Sequence, residues 1–271
     1  MPLLHVVTLN IWNRQGPWDQ RLALIQRGLR DLAPDVVGLQ EVLFFQGQSQ
    51  AHAIGAEAGL PHVAFGEAHE LGGGVLFGNA VLSRFPITHT ASFALPSAET
   101  DERRCLLLAK VESPWGPLPF FSTHLAWRLH HGFVREAQVL AIAEHIDREA
   151  PASGLPPVLV GDFNADPDAT EIRFLKGQQS LAGRSTYFAD CHGQTGQTPG
   201  ITFDDKNPFA APLQEYPRRI DYVFVRGPDE LRRGKPRASR VVFTDNLDGV
   251  TASDHYGVSA HIAMGPELPP R

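Results

Sequence analysis

The chain has 271 residues, a formal net charge of −6, and a composition that is 42% hydrophobic and 20% charged. These values are typical of a globular protein with one large domain or two small ones, and they exclude an extensively disordered chain. The excess of acidic residues excludes a general electrostatic attraction to nucleic acids or to anionic membranes.

The N-terminal segment is predicted to form a strand, a helix and a second strand. The run "LHVVTLNIWN" has the apolar composition of a strand, and we interpret it as β-structure rather than as a signal peptide. A helix over 18–32, ended by "APD", is predicted from four apolar residues at helical spacing, Leu22, Ile25, Leu29 and Leu32. The run "DVVGLQEV" then predicts the next strand.

Further strands and helices alternate unevenly along the rest of the chain. Helical periodicity predicts one long helix over 133–149 and shorter ones near 48–58 and 168–176. The basic run "RRGKPRASR" over 232–240 is interpreted as a solvated hairpin or loop. Apolar runs bounded by Gly, Pro, Asp or Asn predict the other strands, namely "HVAFGEA", "GNAVLSRFPI", "CLLLAKVE", "LPFFSTHLAW", "PPVLVGDFNA", "RRIDYVFV" and "DHYGVSAHIAM".

This pattern has many strands and few helices. A doubly wound parallel fold would need a helix after nearly every strand. Over 74–124, strands follow one another with only loops between them, which predicts antiparallel hairpins. We therefore predict an α/β (α+β) fold in which two sheets pack face to face with helices on the outside. No linker divides the chain, so one domain is predicted over 1–264, followed by a flexible tail over 265–271.

Two features bear on the cellular compartment. Cys105 and Cys191 lie far apart in the sequence and have no metal-binding spacing, which fits a reducing environment. No apolar run approaches the length of a membrane span, and we find no signal peptide. We therefore expect a cytoplasmic protein without a transmembrane segment, and the sequence favours no particular oligomeric state.

Acids, amides and imidazoles stand at the ends of the predicted strands. In "LVGDFNADP", Asp162 and Asn164 are two residues apart and would project from one face of a strand, although an acidic turn is the simpler alternative. The sequence contains no serine nucleophile elbow, phosphate-binding P-loop or zinc-binding HExxH motif. The whole set of such residues is Asn10, Glu41, His124, Asp162, Asn164, Asp221, Asp254 and His255.

This set of side chains favours one kind of chemistry. Carboxylate and amide oxygens suit Mg²⁺ or Mn²⁺ better than zinc. A histidine held by a carboxylate can act as a general base, and a second histidine with an amide can donate to oxygens that gain negative charge. Metal-assisted attack of water on phosphorus needs all three parts. The residues therefore suggest hydrolysis of a phosphate ester.

Six segments in order, "TLNIWN", "LQEV", "STHLAW", "VGDFNADP", "RIDYVFV" and "SDHYGV", resemble the motif set of the endonuclease/exonuclease/phosphatase superfamily, which has the deoxyribonuclease I-like fold. The resemblance runs from residue 8 to about residue 262, and "GDFN" with the later "SDH" is its most specific part. It implies a four-layered α-β-β-α sandwich of two mixed, largely antiparallel sheets, with a catalytic site at one edge.

The resemblance also implies a metal site. Glu41 would be the principal ligand, with Asn10 and Asp254 close to the cation or its waters. The expected cofactor is Mg²⁺, with Mn²⁺ as the alternative, and the number of ions is left open between one and two.

A proton acceptor is implied in the same way. His255 would activate the attacking water, and Asp221 would orient His255. Asp162 would lie near the nucleophile or the metal and could share the role of base, so the identity of the general base is left open between His255 and Asp162.

The substrate phosphate would be bound by Asn164 and His124, and His124 could also assist the leaving group. Arg104 stands where relatives use an arginine for the phosphate, with Arg103 beside it as the competing choice. Abasic-site endonucleases of the superfamily carry a tyrosine at the position of His124, so abasic-site repair is disfavoured. For a carboxylate that would brace His124, as in some relatives, Glu67 and Glu70 are the guesses.

Each of these residues alone has a structural explanation, as a turn, a cap, a surface ion pair or a buried histidine. Their joint occurrence in the family's order favours catalysis. Three other histidines, His130, His131 and His145, are interpreted as solvated. Trp12, Trp18 and Trp127 adjoin the motifs and are assigned to either the substrate cleft or the core.

The predicted substrate is a phosphodiester or phosphomonoester, small or lipid-linked, because we find no basic stripe near the motifs. Apolar segments at 41–46 and 204–217 could contact a lipid surface or could be core. A nuclease acting on DNA or RNA is the alternative, which the charge does not favour. An inactive binding scaffold is the second alternative, and it is disfavoured because the metal and base residues are all present.

Overall fold

The computed structural model describes residues 2–265, so the tail predicted over 265–271 lies outside the described residues from position 266 onward. The helices are α1 (Trp18–Leu32), α2 (Gln50–Ala58), α3 (Gly132–Glu149), α4 (Thr170–Leu175) and α5 (Cys191–Thr195), and a 3₁₀ turn covers Ala211–Leu213. The strands are β1 (Leu3–Asn10), β2 (Val36–Phe45), β3 (Gln48–Ser49), β4 (His62–Gly72), β5 (Val75–Ser83), β6 (Ile87–Ala94), β7 (Cys105–Ser113), β8 (Gly116–His124), β9 (Val158–Asp162), β10 (Ala189–Asp190), β11 (Asp221–Val225), β12 (Lys235–Val242) and β13 (Gly257–Ala263).

These strands form two sheets of similar plan. The first has the order β12-β13-β1-β2-β5-β4, with β3 paired to β2, and the second has the order β10-β11-β9-β8-β7-β6. Each sheet has one parallel pair at its centre, β1 with β2 and β8 with β9, and its other pairs are antiparallel. Because parallel neighbours need a crossover connection, the two long helices α1 and α3 each follow the first strand of such a pair.

Three apolar layers hold the molecule together. Residues of both sheets, such as Val6, Phe120 and Val160, fill the space between the sheets. A second layer packs α3 and α4 on the outer face of the second sheet, and a third packs α1 and α2 on the outer face of the first. The result is the predicted α-β-β-α sandwich of two mixed sheets, which is confirmed.

The predicted helices agree closely with the structure. In α1, Ile25 and Leu29 are buried, and the helix ends where Ala33 adopts a left-handed conformation just before Pro34, a residue that disfavours helix at the position before it. The basic run at 232–240 was assigned to a hairpin or loop, and this was wrong from residue 235 onward. It forms β12, where Pro236, Ser239 and Val242 are buried and a register shift between Pro236 and Ala238 interrupts the alternation expected of a strand. No helix among the described residues has the length and apolarity needed to cross a membrane.

Candidate active site

The polar strand ends converge because the two parallel pairs finish at the same edge of the sandwich. Asn10, the last residue of β1, is the register partner of Gln40, which lies at the bulge in the middle of β2, and His124 is the partner of Asp162 at the end of β8 and β9. On the antiparallel neighbour β11, Asp221 lies opposite Asp162. Residues from five strands are thereby placed at one edge.

Glu41 is placed by an irregularity in β2. The pairing with β5 shifts between Leu39 and Val42, and Glu41 itself has a φ of 57°, a left-handed conformation that is strained for a residue with a side chain. The bulge turns the carboxylate toward the edge of the sheet. There the Nδ2 atom of Asn10 donates to Glu41 Oε1 at 3.2 Å, and Nδ2 of Asn13 donates to Oε2 at 3.0 Å. Two neutral amides therefore hold this carboxylate.

Asp162 is placed by the glycine that precedes it. Gly161 has a φ of 155°, and a Cβ atom there would lie 2.0 Å from the carbonyl oxygen of Thr123, so the close approach of β8 to β9 requires glycine. The carboxylate of Asp162 accepts the backbone N–H of Asn164 at 2.9 Å and the Nδ2 amide of Asn10 at 3.0 Å. The turn after β9 thus fixes one oxygen of this buried acid, and Asn10 at the end of β1 fixes the other.

His255 lies among three carboxylates. Its Nδ1 atom is 3.0 Å from Asp221 Oδ2, and its Nε2 atom is 3.7 Å from Asp162 Oδ2. Burial alone would lower the pKa of His255, but the carboxylates of Asp221, Asp162 and Asp254 outweigh burial and raise it well above its ordinary value. Burial raises the pKa of Asp162 to about 7; nearby Asp221 adds to the increase and His255 opposes it.

Asp254 lies near both His255 and Glu41, whose charges act on its carboxyl group. Burial raises the pKa of Asp254 to about 6, and the charge of Glu41 contributes to the increase. The Oγ atom of Ser253 donates to Asp254 Oδ1 at 3.1 Å, and the Nδ2 atom of Asn207 donates to the carbonyl of Ser253 at 2.8 Å. The loop before β13 is therefore fixed by side chains from elsewhere in the chain.

His124 has a polar neighbour on each side of its ring. Its Nδ1 atom is 3.1 Å from Nη1 of Arg104, and its Nε2 atom is 3.4 Å from Oδ2 of Asp162. Burial lowers the pKa of His124 well below its ordinary value, and the charge of Arg104 lowers it further. Arg104 also forms an ion pair with Glu102, at 3.5 Å.

These residues surround one cleft with a volume of about 610 Å³. Of the predicted site residues, Asn10 and Asp221 are fully buried behind its lining. The others line it, namely Glu41, Arg104, His124, Asp162, Asn164, Asp254 and His255. Trp12 and Trp127 also line the cleft, whereas Trp18 packs against the core between α1, α2 and the first sheet. Leu213, from the 204–217 segment, is on the rim.

Two sequence-based assignments near the site are wrong. Neither Glu67 nor Glu70 braces His124, because both are exposed and Glu70 accepts a backbone N–H within its own turn. His131 was assigned to solvent, as were His130 and His145. It is buried, with Nδ1 2.7 Å from the carboxylate of Glu102. His130 is exposed, and His145 is partly buried against Phe93.

Sequence reasoning missed the residues that support the site, above all Arg21. This fully buried guanidinium donates to five backbone carbonyls, those of Ile11, Trp12, Asn13, Gln15 and Ala252. It thereby joins the loop after β1 to the loop that carries Asp254. A signal was available, because Arg21 stands four residues before Ile25 on the buried face of α1, where an apolar residue is expected. Asn13 and Glu102 gave no such signal.

Two groups of side chains could hold a metal ion. Ligand atoms of Asp162, Asp221 and His255 lie within 4.8 Å of one another. In this group, however, His255 and Asp221 already share a hydrogen bond, and the imidazole partly compensates the charge of both acids. Glu41 and Asp254 accept hydrogen bonds from neutral groups, namely Asn10, Asn13 and Ser253, although the charges of His255 and Arg21 also act on Asp254. Glu41 and Asp254 are the other candidate pair, since the charge of Glu41 acts on Asp254 and both side chains offer oxygen ligands.

Comparisons with known proteins agree with this geometry. A model of the endonuclease/exonuclease/phosphatase family matches residues 7–255. The uncharacterized protein YbhP of Escherichia coli K12 is 29% identical over 221 residues, which cover 73% of this chain and 79% of YbhP.

Solved structures are similar over almost the whole chain. An endonuclease/exonuclease/phosphatase from Beutenbergia cavernae superposes with a TM-score of 0.71 and 26% identity, covering 97% of this chain and 72% of that one. TDP2 of D. rerio, in complex with a single-strand DNA product, superposes with a TM-score of 0.68 and 24% identity, covering 97% of this chain and 99% of that one. At that identity the likeness concerns the fold alone. This chain therefore belongs to the endonuclease/exonuclease/phosphatase family, whose members are hydrolases that act on phosphoester bonds.

Proposed function

We propose that the protein is a Mg²⁺-dependent phosphoesterase, able to use Mn²⁺ as the alternative, that hydrolyses a phosphodiester or phosphomonoester with activated water. The observation that carries the proposal is the position of His255. Its imidazole is held by Asp221 on one side and faces Asp162 on the other, at the rim of a cleft that also contains Glu41 and Asp254. A proton acceptor and a set of oxygen ligands are thus available to the same bound phosphate.

Glu41 and Asp254, with Asn10 behind them, would hold the cation. The ligand atoms would be carboxylate and amide oxygens. The raised pKa of Asp254 reflects burial beside a second acid. Two such acids repel each other, and a divalent cation would relieve that repulsion. When bound, the ion supplies positive charge that offsets the charge of the phosphate oxygens and makes water more acidic.

The other residues bind, orient and move a proton. Asp221 accepts from Nδ1 of His255, which leaves Nε2 directed toward Asp162 and the cleft. Asp162 in its ionised form or His255 in its neutral form accepts the proton of the attacking water, and a cation beside Asp254 would lower the pKa of His255 and so favour its neutral form. Asn164 Nδ2 donates to the carbonyl of Leu125 at 3.3 Å, a long bond that a phosphate oxygen could replace. His124 donates to a second oxygen of the phosphate.

A small or lipid-linked phosphoester is the favoured substrate, since the chain carries 24 basic and 30 acidic residues. The apolar and aromatic side chains of Trp12, Trp127 and Leu213 on the cleft support an organic group beside the phosphate.

A nuclease is the second candidate, and one observation favours it. Four arginines line the cleft, Arg103, Arg104, Arg128 and Arg218, which the sequence did not predict as a patch. Arg104 and Arg218 are paired with acids, so fewer of these charges are available to a nucleic-acid backbone than their number suggests. Cleavage of a labelled single- or double-stranded oligonucleotide that weakens steeply with added salt would favour the nuclease.

The proposed activity is tested with a panel of aryl phosphodiester, aryl phosphomonoester, sphingomyelin, inositol phosphates and oligonucleotides, each with Mg²⁺, Mn²⁺ or Ca²⁺. We expect turnover of at least one substrate, its loss with EDTA, and a fall in kcat of about 10²-fold or more for His255→Ala. His89→Ala, an exposed histidine on the edge strand β6, is the matched control. Hydrolysis that survives both EDTA and His255→Ala would refute the proposal.

A further inference from the structure

The hydrogen bond between Arg104 and His124 restricts where His124 can carry a proton. Arg104 Nη1 lies 3.1 Å from His124 Nδ1, and both side chains are buried. A guanidinium has only donors and remains protonated in proteins. The Nδ1 atom must therefore accept, which excludes both the Nδ1–H tautomer and the doubly protonated imidazolium. A neutral ring with an accepting Nδ1 has its proton on Nε2.

The opposite side of the ring agrees with this assignment. Nε2 of His124 is 3.4 Å from Oδ2 of Asp162, so the Nε2–H points toward an acceptor and toward the cleft. A ring with Nδ1–H would direct that proton at a donor and leave an Nε2 lone pair facing a carboxylate. Both contacts therefore favour the same tautomer.

Arg104 is itself held in place by Glu102. The Oε2 atom of Glu102 is 3.5 Å from Arg104 Nη2 and accepts the backbone N–H of Trp127 at 2.9 Å, while Oε1 lies 2.7 Å from Nδ1 of His131. Glu102 and His131 are both buried. The carboxylate thus joins Arg104 to the loop that leads from β8 into α3.

We propose that Arg104, positioned by Glu102, fixes His124 as the Nε2–H tautomer, so that His124 acts as a permanent hydrogen-bond donor to the substrate phosphate rather than as a proton donor or acceptor. Arg104 and Glu102 are then positioning residues. The consequence for catalysis rests on the proposed phosphoesterase function, but the tautomer itself does not. This role differs from phosphate binding by Arg104, which would act on the substrate directly.

The charges around the ring support a neutral His124. The groups that face it are His69 on β4, Arg104 before β7, Asp162 at the end of β9 and His255 from the loop before β13. Burial is the main cause of its lowered pKa, and Arg104, His255 and His69 act in the same direction. The carboxylate that contacts the ring, that of Asp162, is shared with His255 and Asn10.

The tautomer is read directly from ring-nitrogen spectra of protein labelled with ¹⁵N-histidine, without metal or substrate, with His124 assigned through His124→Gln. We expect Nδ1 of His124 to show the shift of an unprotonated nitrogen and Nε2 that of a protonated one, unchanged across neutral pH. A protonated Nδ1 in the wild type would overturn the proposal, whether or not any variant folds.

Variants then test the roles of Arg104 and Glu102. In Arg104→Gln, an amide can accept as well as donate, so we expect mixed tautomers and a fall in kcat of about 10-fold or more with little change in KM. Arg104→Lys keeps a pure donor and should restore the wild-type tautomer and most of kcat. In Glu102→Gln, the ring-nitrogen signals of His124 should broaden and shift toward the values seen in Arg104→Gln.

The matched control is Arg103→Gln, since Arg103 is exposed and donates to Ser97; its His124 spectrum should equal that of the wild type. An unchanged tautomer in Arg104→Gln, accompanied by a rise in KM alone, would overturn the proposal in favour of direct phosphate binding. Absence of hydrolysis would refute the proposed function, whereas the spectrum alone decides the tautomer.

Discussion

In the first sheet, β1 and β2 run parallel, connected through α1, and bring Asn10 and Glu41 to the edge; in the second sheet, β8 and β9 run parallel, connected through α3, and bring His124 and Asp162 to the same edge. The two units have the same topology. They differ in what surrounds the acid. Glu41 is partly exposed and held by amides, whereas Asp162 is buried and faces two imidazoles.

This difference shows how one supersecondary arrangement can provide two kinds of carboxylate. An acid whose protein partners are neutral retains its charge for an external cation, and Glu41 reaches that position through a strained bulge. An acid between two imidazoles can accept a hydrogen bond from one, His124, and exchange a proton with the other, His255. We therefore propose that the first-sheet unit binds the cation and that the second-sheet unit transfers the proton.

The largest effect is expected for Glu41→Ala. Loss of the principal cation ligand should remove several kcal/mol of transition-state stabilisation, which corresponds to a fall in kcat/KM of about 10³-fold. The measurement is steady-state kinetics at fixed Mg²⁺ on the best substrate of the panel. Glu57→Ala, an exposed acid on α2, is the control and should leave kcat/KM unchanged. Near-wild-type turnover in Glu41→Ala would contradict the role of the first-sheet unit in cation binding.

Asp162→Asn tests the role of the second-sheet unit in proton transfer. The amide keeps the shape of the side chain but cannot accept a proton, so we expect kcat to fall by about 10²-fold or more. Because the cation is assigned to the other unit, higher Mg²⁺ should not restore activity. Glu41→Gln is the matched variant, and in it higher Mg²⁺ should restore part of the lost activity. Restoration of Asp162→Asn by Mg²⁺ would instead place Asp162 among the cation ligands.

Asp221→Asn addresses the support of the second unit. The Asn side chain could turn its amide toward Nδ1 of His255 and reverse the tautomer that Asp221 now selects. We expect kcat to fall by about 10- to 100-fold, the range seen when an orienting partner is lost. KM and the Mg²⁺ concentration at half-maximal rate should stay near wild type. A change confined to the Mg²⁺ dependence would contradict this division of roles.

Arg21→Met addresses the support of the first unit and should have the smallest effect on turnover. Its loss would leave buried carbonyls without donors, at a cost of about 2 kcal/mol in the free energy of unfolding. Because Arg21 joins the loops that carry Asn13 and Asp254, the Mg²⁺ concentration at half-maximal rate should rise. Denaturant unfolding and Mg²⁺ titration of the rate measure the two effects, with Arg27→Met, exposed on the same helix, as control. If neither the free energy of unfolding nor the Mg²⁺ concentration at half-maximal rate changed, the proposed role of Arg21 in supporting the two loops would be contradicted.

The parts predicted well from sequence are those with a local pattern. The helix over 18–32, the strands around Asp162 and Asp221 and the ordered polar motifs all follow from short-range periodicity or composition. β12 was missed because its edge position gives it a charged outer face rather than an apolar run. Lys235, Arg237 and Arg240 interrupt its apolar residues, and the register shift between Pro236 and Ala238 breaks the two-residue period.

The supports of the site could not be predicted, because they depend on contacts between distant residues. Arg21 bonds to Ala252, 231 positions away, and Glu102 bonds to His131 across the two strands β7 and β8. The same is true of the partner of His124. The sequence suggested a carboxylate, whereas the structure places Arg104 against Nδ1 and Asp162 against Nε2. The sequence shows which side chains stand at these positions, but it does not show which of them form hydrogen bonds with one another.

The most direct test of the division between the two units is the affinity for Mn²⁺, measured by titration calorimetry in the absence of substrate. We compare the wild type with Glu41→Gln and Asp162→Asn, two isosteric variants that each remove one charge. The account predicts that Glu41→Gln loses most of the Mn²⁺ affinity and that Asp162→Asn retains it. Retained affinity in Glu41→Gln together with loss in Asp162→Asn would place the ion among Asp162, Asp221 and His255 and contradict the account.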